Sequence, residues 1–223
     1  MHARVLEPEW LDELPPQDPR AVRSRADLRR VNWLMGNARI ISAALSPHLR
    51  DGSRIADLGS GDGHLMLRIA QGLQRPGVEL SLVDRAPVVS DATLAEFGKL
   101  GWRVRVVARD ALVFLREEPI DIVVMNLFLH HLTPEALREL FTIVSRRALM
   151  LAACEPRRSQ LALLGCRLMW FIGANDVTRH DAVVSVRAGF TNGELSALWG
   201  STGWRLDERS APPFSHLFVA HAR

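Results

Sequence analysis

The chain contains no tyrosine, a single lysine and two cysteines. Lys99 is the only lysine among 28 basic residues, and 25 acidic residues leave a formal charge of just +3. The arginines are scattered, with no basic run interleaved with aromatics to track a nucleic-acid backbone, so no nucleic-acid partner is expected. Cys154 and Cys166 lack the paired short spacing of zinc sites and cannot build a disulfide framework; they read as buried thiols of a reducing compartment. The first residues, Met1-His2-Ala3-Arg4 followed by Glu7 and Glu9, hold no apolar signal core. Every long apolar run is broken by Arg, Asn or Gly short of membrane-spanning length. A cytoplasmic protein without a membrane span is the expectation. Repeats and low-complexity stretches are missing as well.

The rest is ordinary globular material: 48% apolar and 24% charged over 223 residues, enough for one well-buried α/β domain with an extra cap. Strands are expected near 54–58, 79–84, 103–107, 120–125 and 148–153, alternating with helices as in a parallel doubly wound sheet. Ile120-Asp121-Ile122-Val123-Val124-Met125 has the β-branched content of a fully buried central strand. Thr133-Pro134 opens a helix as N-cap and N1, with Leu137, Leu140, Phe141 and Val144 on one face. Ahead of the sheet, Val31, Met35, Ala38, Ile41 and Leu45 form one helical stripe, and residues 1–50 are read as an N-terminal helical lid, with Trp33, Met35 and Asn37 as candidate pocket residues. Residues 51–223 then form the main domain, with a cap insertion at about 156–192. Within that insertion, residues 174–190 show no clean period. The capping box Thr191-Asn192-Gly193-Glu194 starts a short helix, and the tail reads as two antiparallel strands, 204–209 and 215–221, turned at Ala211-Pro212-Pro213.

The chemistry concentrates at strand ends. Asp57-Leu58-Gly59-Ser60-Gly61-Asp62-Gly63 joins the first strand to a helix, and three alternating glycines allow positive φ and close backbone approach to a ligand. Asp84 ends the second strand. A carboxylate at each of these places suits a ribose-bearing cofactor. The spacing decides which one. The dinucleotide fingerprint requires a third glycine where His64 stands, and no Gly-Lys-Ser/Thr follows to cradle a triphosphate.

This Asp-x-Gly-x-Gly-x-Gly form resembles motif I of class I S-adenosylmethionine-dependent methyltransferases. Three further features are similar to that family: the terminal hairpin, Ala108-Arg109-Asp110-Ala111 after the third strand, and Asn126-Leu127-Phe128-Leu129-His130-His131-Leu132 after the fourth. The last of these looks like the motif of small-molecule enzymes related to ubiquinone and menaquinone biosynthesis. The resemblance implies a seven-stranded Rossmann-like α/β sheet with an antiparallel C-terminal hairpin. It also implies S-adenosylmethionine as cofactor. Asp57, Gly59, Gly61 and Gly63 would border its methionine end, Asp84 would grip the ribose, and Arg85 or Ala86 would lie along the adenine. Asp110 would reach the adenine amino group with Ala111 beside it, and Asn126 would touch the methionine moiety.

A phenol or enol acceptor benefits from a base, and histidine suits that task near neutral pH. His130 and His131 follow the fourth strand at the active-site edge, and His180 beside Asp181 is the second candidate. Adjacent histidines are the wrong geometry for two ligands on one helix face, so no metal site is expected. Leu, Met, Trp and Phe outside the common core suit a small apolar or aromatic acceptor, a phenol, quinol or polyketide. Open alternatives are an RNA or protein methyltransferase, for which the Asn-Pro-Pro-Tyr type of loop is missing, a nucleotide-dependent oxidoreductase, and a non-catalytic cofactor-binding relative. The oligomeric state stays open between monomer and homodimer.

Overall fold

The computed structural model describes residues 3–223. Its sheet has seven strands, β1 Arg54–Leu58, β2 Glu79–Asp84, β3 Arg103–Ala108, β4 Ile122–Asn126, β5 Met150–Pro156, β6 Trp204–Ala211 and β7 Ser215–Ala222. Their order is β3-β2-β1-β4-β5-β7-β6, the first five parallel and β7 antiparallel to both of its neighbours. Each strand expectation stands within a few residues. The order reverses at the β1–β4 pair, where Asp57 lies level with Val124, and the crevice outside those strand ends is where ligands of such sheets bind.

The helices are α1 Trp10–Glu13, α2 Pro19–Met35, α3 Asn37–Leu45, α4 His64–Leu73, α5 Asp91–Lys99, α6 Ala111–Glu117, α7 Pro134–Arg147, α8 Gln160–Leu168, α9 Asp176–Ala188 and α10 Glu194–Leu198. Side-chain alternation along the strands divides the core in two. Ile55, Leu80, Ile122 and Met150 pack under α3, α4 and α5 against Ile41, Leu45, Ile69 and Phe97. Ala56, Leu58, Val123 and Leu151 face α6, α7 and α10, against Phe114, Leu140, Phe141 and Trp199. Thr133 caps α7 as expected, its Oγ1 accepting from Ala136 N at 3.3 Å.

Two expectations are corrected here. The single stripe from Val31 to Leu45 is two helices, broken at Gly36, whose φ of +69° places it in the left-handed region open to glycine. α3 beyond the break belongs to the core with Ile41 and Leu45 fully buried, so of the described helices before β1 it is α1 and α2 that overhang the strand ends. The stretch without apolar period, 174–190, contains the 13-residue helix α9. Its period is hidden because part of its buried face is polar: Thr178 Oγ1 lies within hydrogen-bond reach of Ser24 Oγ at 2.9 Å and Asp27 Oδ2 at 3.2 Å on α2. Asp181 accepts from the backbone N–H groups of Trp10 and Leu11 at 2.9 and 3.0 Å. These hydrogen bonds fasten the overhang to α9.

Candidate cofactor and acceptor site

A cavity of about 1480 Å³ lies outside the β1 and β4 ends, and Asp57, Gly59, Gly61, Asp84, Arg85, Asp110, Ala111, Asn126, His130 and His131 all line it. Gly63 stands behind the turn, with its Cβ position against Leu82. The turn is built by its own backbone. Gly59, Gly61 and Gly63 have φ of +75°, +53° and +72°, each costly for a residue bearing a Cβ. Gly59 N donates to Val83 O at 2.9 Å, locking the turn to the end of β2. The ring of Phe128, from the loop after β4, lies where a Cβ on Gly59 would stand 2.5 Å from its Cδ2. The loops from the two sides of the topological switch therefore touch only because residue 59 has no side chain.

The carboxylates differ in condition. Asp84 accepts from Gly61 N through Oδ2 and from Ala86 N through Oδ1, both at 2.9 Å, which fixes the plane of the carboxylate and leaves lone pairs for a diol. Asp57 is buried; burial, with the charges of Asp84 and Asp62 adding to it, raises its pKa to about 8. Asp110 is the N-cap of α6, accepting from Leu112 N at 2.9 Å, while its other oxygen pairs with Arg85 at 2.7 Å. That ion pair holds the Asp110 carboxyl below its usual range. Arg85 itself is 83% exposed along its side chain, reaching over the rim of the cavity.

Asn126 sits in a ring of amides that the sequence did not announce. Its Oδ1 accepts from Asn37 Nδ2 at 2.9 Å and its Nδ2 donates to Asn32 Oδ1 at 3.1 Å, tying the end of β4 to α2 and α3. Ser215 Oγ on β7 donates to Asn37 Oδ1 at 2.8 Å. Asn37 is thus a buried strut, whereas Trp33 and Met35 do face the cavity. Across the mouth, Arg29 of α2 pairs with Asp62 of the glycine turn at 2.8 Å.

The three histidines separate sharply. His130 is clamped: Nδ1 donates to Glu155 Oε2 at 2.8 Å and Nε2 lies 3.3 Å from Glu9 Oε1, with the side chain 2% exposed. Burial disfavours its charged form, but hydrogen bonds to Glu155 and Glu9 prevail and raise the pKa to about 9. A protonated imidazole has no lone pair with which to take an acceptor's proton, so the base expectation for His130 meets a physical obstacle. The His131 ring centre lies 4.1 Å from that ring, tilted 35° to it, with its side chain 31% exposed, and burial with the His130 charge lowers its pKa, keeping it neutral. His180 lines no part of the cavity. Its ring stacks on Trp10 at 3.8 Å and its Nδ1 pairs with Asp181 at 3.0 Å, fastening α1 to α9; its candidacy as base is corrected to a structural staple.

Glu9 and Glu155 are the site residues the sequence reading missed. Glu155 is fully buried and also accepts from the N–H groups of Phe128 and Leu129 at 2.9 Å each, capping the 3-10 turn Leu129–His131. One signal was available: a carboxylate inside the apolar run of β5, where an unpaired charge is almost never buried. Glu9 had none, lying 121 residues from His130. Together Glu9, His130 and His131 place donor atoms within 4.8 Å of one another, a grouping that histidine adjacency alone could not reveal.

The residues fit a class I cofactor on three counts. Gly61 presents its bare Cα to open space where a side chain would intrude. Ser60 Oγ is buried with no hydrogen-bond partner in the same turn. An ionisable acid at Asp57 and an oriented acceptor pair at Asp84 supply the donor set for a cation and a diol.

Comparison with known proteins points the same way. Residues 55–148 match the family model described as Methyltransferase domain. The indolepyruvate C-methyltransferase of Streptomyces griseus is 31% identical over 88 residues, which make up 39% of this chain and 27% of that protein. The alignment thus spans about a quarter of that relative. Among solved structures, the plantazolicin methyltransferase BpumL in complex with SAH superposes with a TM-score of 0.65 at 13% identity, covering 93% of this chain and 92% of that one. The mitomycin 7-O-methyltransferase MmcR gives 0.61 at 18% identity, covering 95% and 60%. At such identities the likeness is one of fold.

Proposed function

We propose that this chain, whose residues 55–148 match the methyltransferase-domain model, is an S-adenosylmethionine-dependent methyltransferase acting on oxygen or carbon of a small, apolar or aromatic acceptor. The observation that carries the reading is the pair of switch-point loops: the glycine turn held by Asp84 on one side, and the loop bearing Asn126 and His131 on the other, meeting at Gly59 and Phe128. When bound, S-adenosylmethionine supplies an electrophilic methyl group on a sulfonium. Asp57, Gly59, Gly61 and Asn126 hold the methionine end, Asp84 the ribose, and Asp110 with Ala111 and Arg85 the adenine.

The protein's own tasks are alignment and exclusion of water, which can contribute on the order of 7–11 kcal/mol without covalent catalysis. α1 and α2 cover the strand ends and close over the turn through the Arg29–Asp62 pair. His131, neutral and facing the cavity, takes the acceptor proton, and the clamped His130 fixes the turn that aims it. The reading invokes no metal ion, and a protonated His130 balances the carboxylates of Glu9 and Glu155. Burial pushes the thiols of Cys154 and Cys166 up to about 12 and 11, which keeps them inert. No helix among the described residues is long and apolar enough to cross a membrane.

Calorimetry of S-adenosylmethionine and SAH, with NADH as control and light scattering to read monomer or homodimer, tests the proposal. Micromolar binding of the first two, lost in Asp84→Ala, is the expected result. Binding of NADH alone, or of nothing, overturns it.

A further inference from the structure

Beside the main cavity lies a second one of about 260 Å³, enclosed by α2, α8, α9 and the turn that follows α8. Leu28, Leu34, Met35 and Leu127 belong to the walls of both cavities, and Leu127 directly follows Asn126 at the end of β4. The two spaces therefore meet beside the place where the reading above puts the transferred methyl.

The chemistry of the second cavity is one-sided. Its buried wall includes Cys166, Met169 and Val186, with Phe214 and the more exposed Ile172 completing the apolar lining. Glu9, Ser24, Thr178, Asp181 and Ser185 also border it, and each has at least one hydrogen-bond partner within the protein. Thr178 Oγ1 lies 2.9 Å from Ser24 Oγ, Asp181 accepts from two backbone N–H groups, and Ser185 donates to Glu9. A polar occupant would find its hydrogen bonds with water unreplaced, a cost of several kcal/mol per group, whereas an apolar one would lose nothing. Gly165 contributes by omission: a Cβ there would stand 3.0 Å from Cζ of Phe214, so the tip of that ring can press against α8.

We infer that the methyl acceptor is a two-part molecule, a phenolic or enolic head held at His131 beside Leu127 with an aliphatic tail seated in this side chamber. The inference rests on the methyltransferase reading for the head and on the chamber alone for the tail. A dry cavity of about 150 Å³ holds a benzene molecule. By that measure the chamber takes a tail on the order of ten carbon atoms. A longer tail would run out over the turn after α8, where Trp170 and Phe171 are 63% and 75% exposed and extend the apolar surface.

The test is a chain-length series, 4-ethylphenol to 4-heptylphenol, titrated into the full-length protein with and without SAH. Each added methylene is expected to tighten binding about fourfold, the worth of a buried CH₂. Cys166→Trp and the gentler Ala182→Leu fill the chamber; either, folded by circular dichroism, should flatten the series while leaving SAH affinity as it was. An affinity independent of chain length, or a slope that survives both fillings, overturns the chamber. Failure of SAH to bind overturns the cofactor reading instead, and the series without SAH still judges the chamber by its slope.

Discussion

Glu155 Oε2 accepts from His130 Nδ1 at 2.8 Å, and neither side chain is more than 2% exposed. This pair ties β5 to the turn after β4, and it makes stability depend on pH in a defined sense. Burial opposes the charge on His130, yet its hydrogen bonds to Glu155 and Glu9 raise it from 6.5 to about 9. A raised histidine contributes fully below its unfolded value and loses that contribution as pH climbs through the folded one. Glu155 moves the other way: burial pushes it up, but His130 pulls it below its usual value, so its share is lost only in acid. The unfolding free energy from denaturant titrations should therefore fall between pH 6.5 and 9.5, His130 contributing on the order of 3 kcal/mol and Asp57, protonated up to about 8, adding to the fall. His130→Gln should be less stable at pH 6.5 but markedly flatter over that range. A wild-type slope unchanged in the variant would remove the clamp as its origin.

Asp57 should couple cofactor binding to a proton. Burial and its acidic neighbours hold it protonated up to about pH 8 in the free protein, and a bound cation favours the ionised form. Affinity for S-adenosylmethionine should then rise up to about tenfold per pH unit toward pH 8 and level off above it. Calorimetry at pH 7 in buffers of different ionisation heats should record close to one proton released. Asp57→Asn should abolish both the release and the slope; a slope that persists in it assigns the proton elsewhere.

Much of this site could be read in the sequence because loop chemistry is local. Three alternating glycines after a strand, a carboxylate ending the next one, and Thr-Pro opening a helix each announce themselves within a few residues. What escaped was non-local or polar. The Glu155–His130 clamp spans 25 residues and the Glu9 contact 121, and no short pattern links them. α9 escaped because Thr178 and Asp181 occupy core-facing positions where an apolar period would be sought. The break at Gly36 escaped because the apolar stripe runs in phase through it, so only the left-handed φ of that glycine separates overhang from core.

Gly59→Ala tests the contact between the two switch-point loops. The added methyl meets a left-handed φ, worth about 1–2 kcal/mol, and collides with Phe128. Stability should fall by at least that amount, and SAH affinity by tenfold or more as the loops part. Adding Phe128→Ala should recover part of the SAH affinity, since it removes the collision and leaves only the backbone cost. If the double variant binds no better than Gly59→Ala, the Phe128 contact is not what shapes the turn.

His131 and His180 invite opposite outcomes, because one faces the cavity and the other fastens α1. A positioned base contributes about 10²–10⁴ in rate. With 4-hexylphenol as acceptor, His131→Ala should lower kcat at least a hundredfold while SAH binds as before. Activity should then show no dependence on a group titrating below neutrality, the region into which burial and the His130 charge move His131. His180→Ala loses its stack on Trp10 and its pair with Asp181, so thermal stability should drop by a few degrees with kcat nearly unchanged. EDTA should alter neither variant nor the wild type, given that the proton on His130 provides the positive charge between the carboxylates. Activity lost on chelation and restored by a divalent ion would instead turn Glu9, His130 and His131 into ligands. In that case His131→Ala would lower kcat through loss of the metal, and metal content measured on the purified variant would separate the two causes.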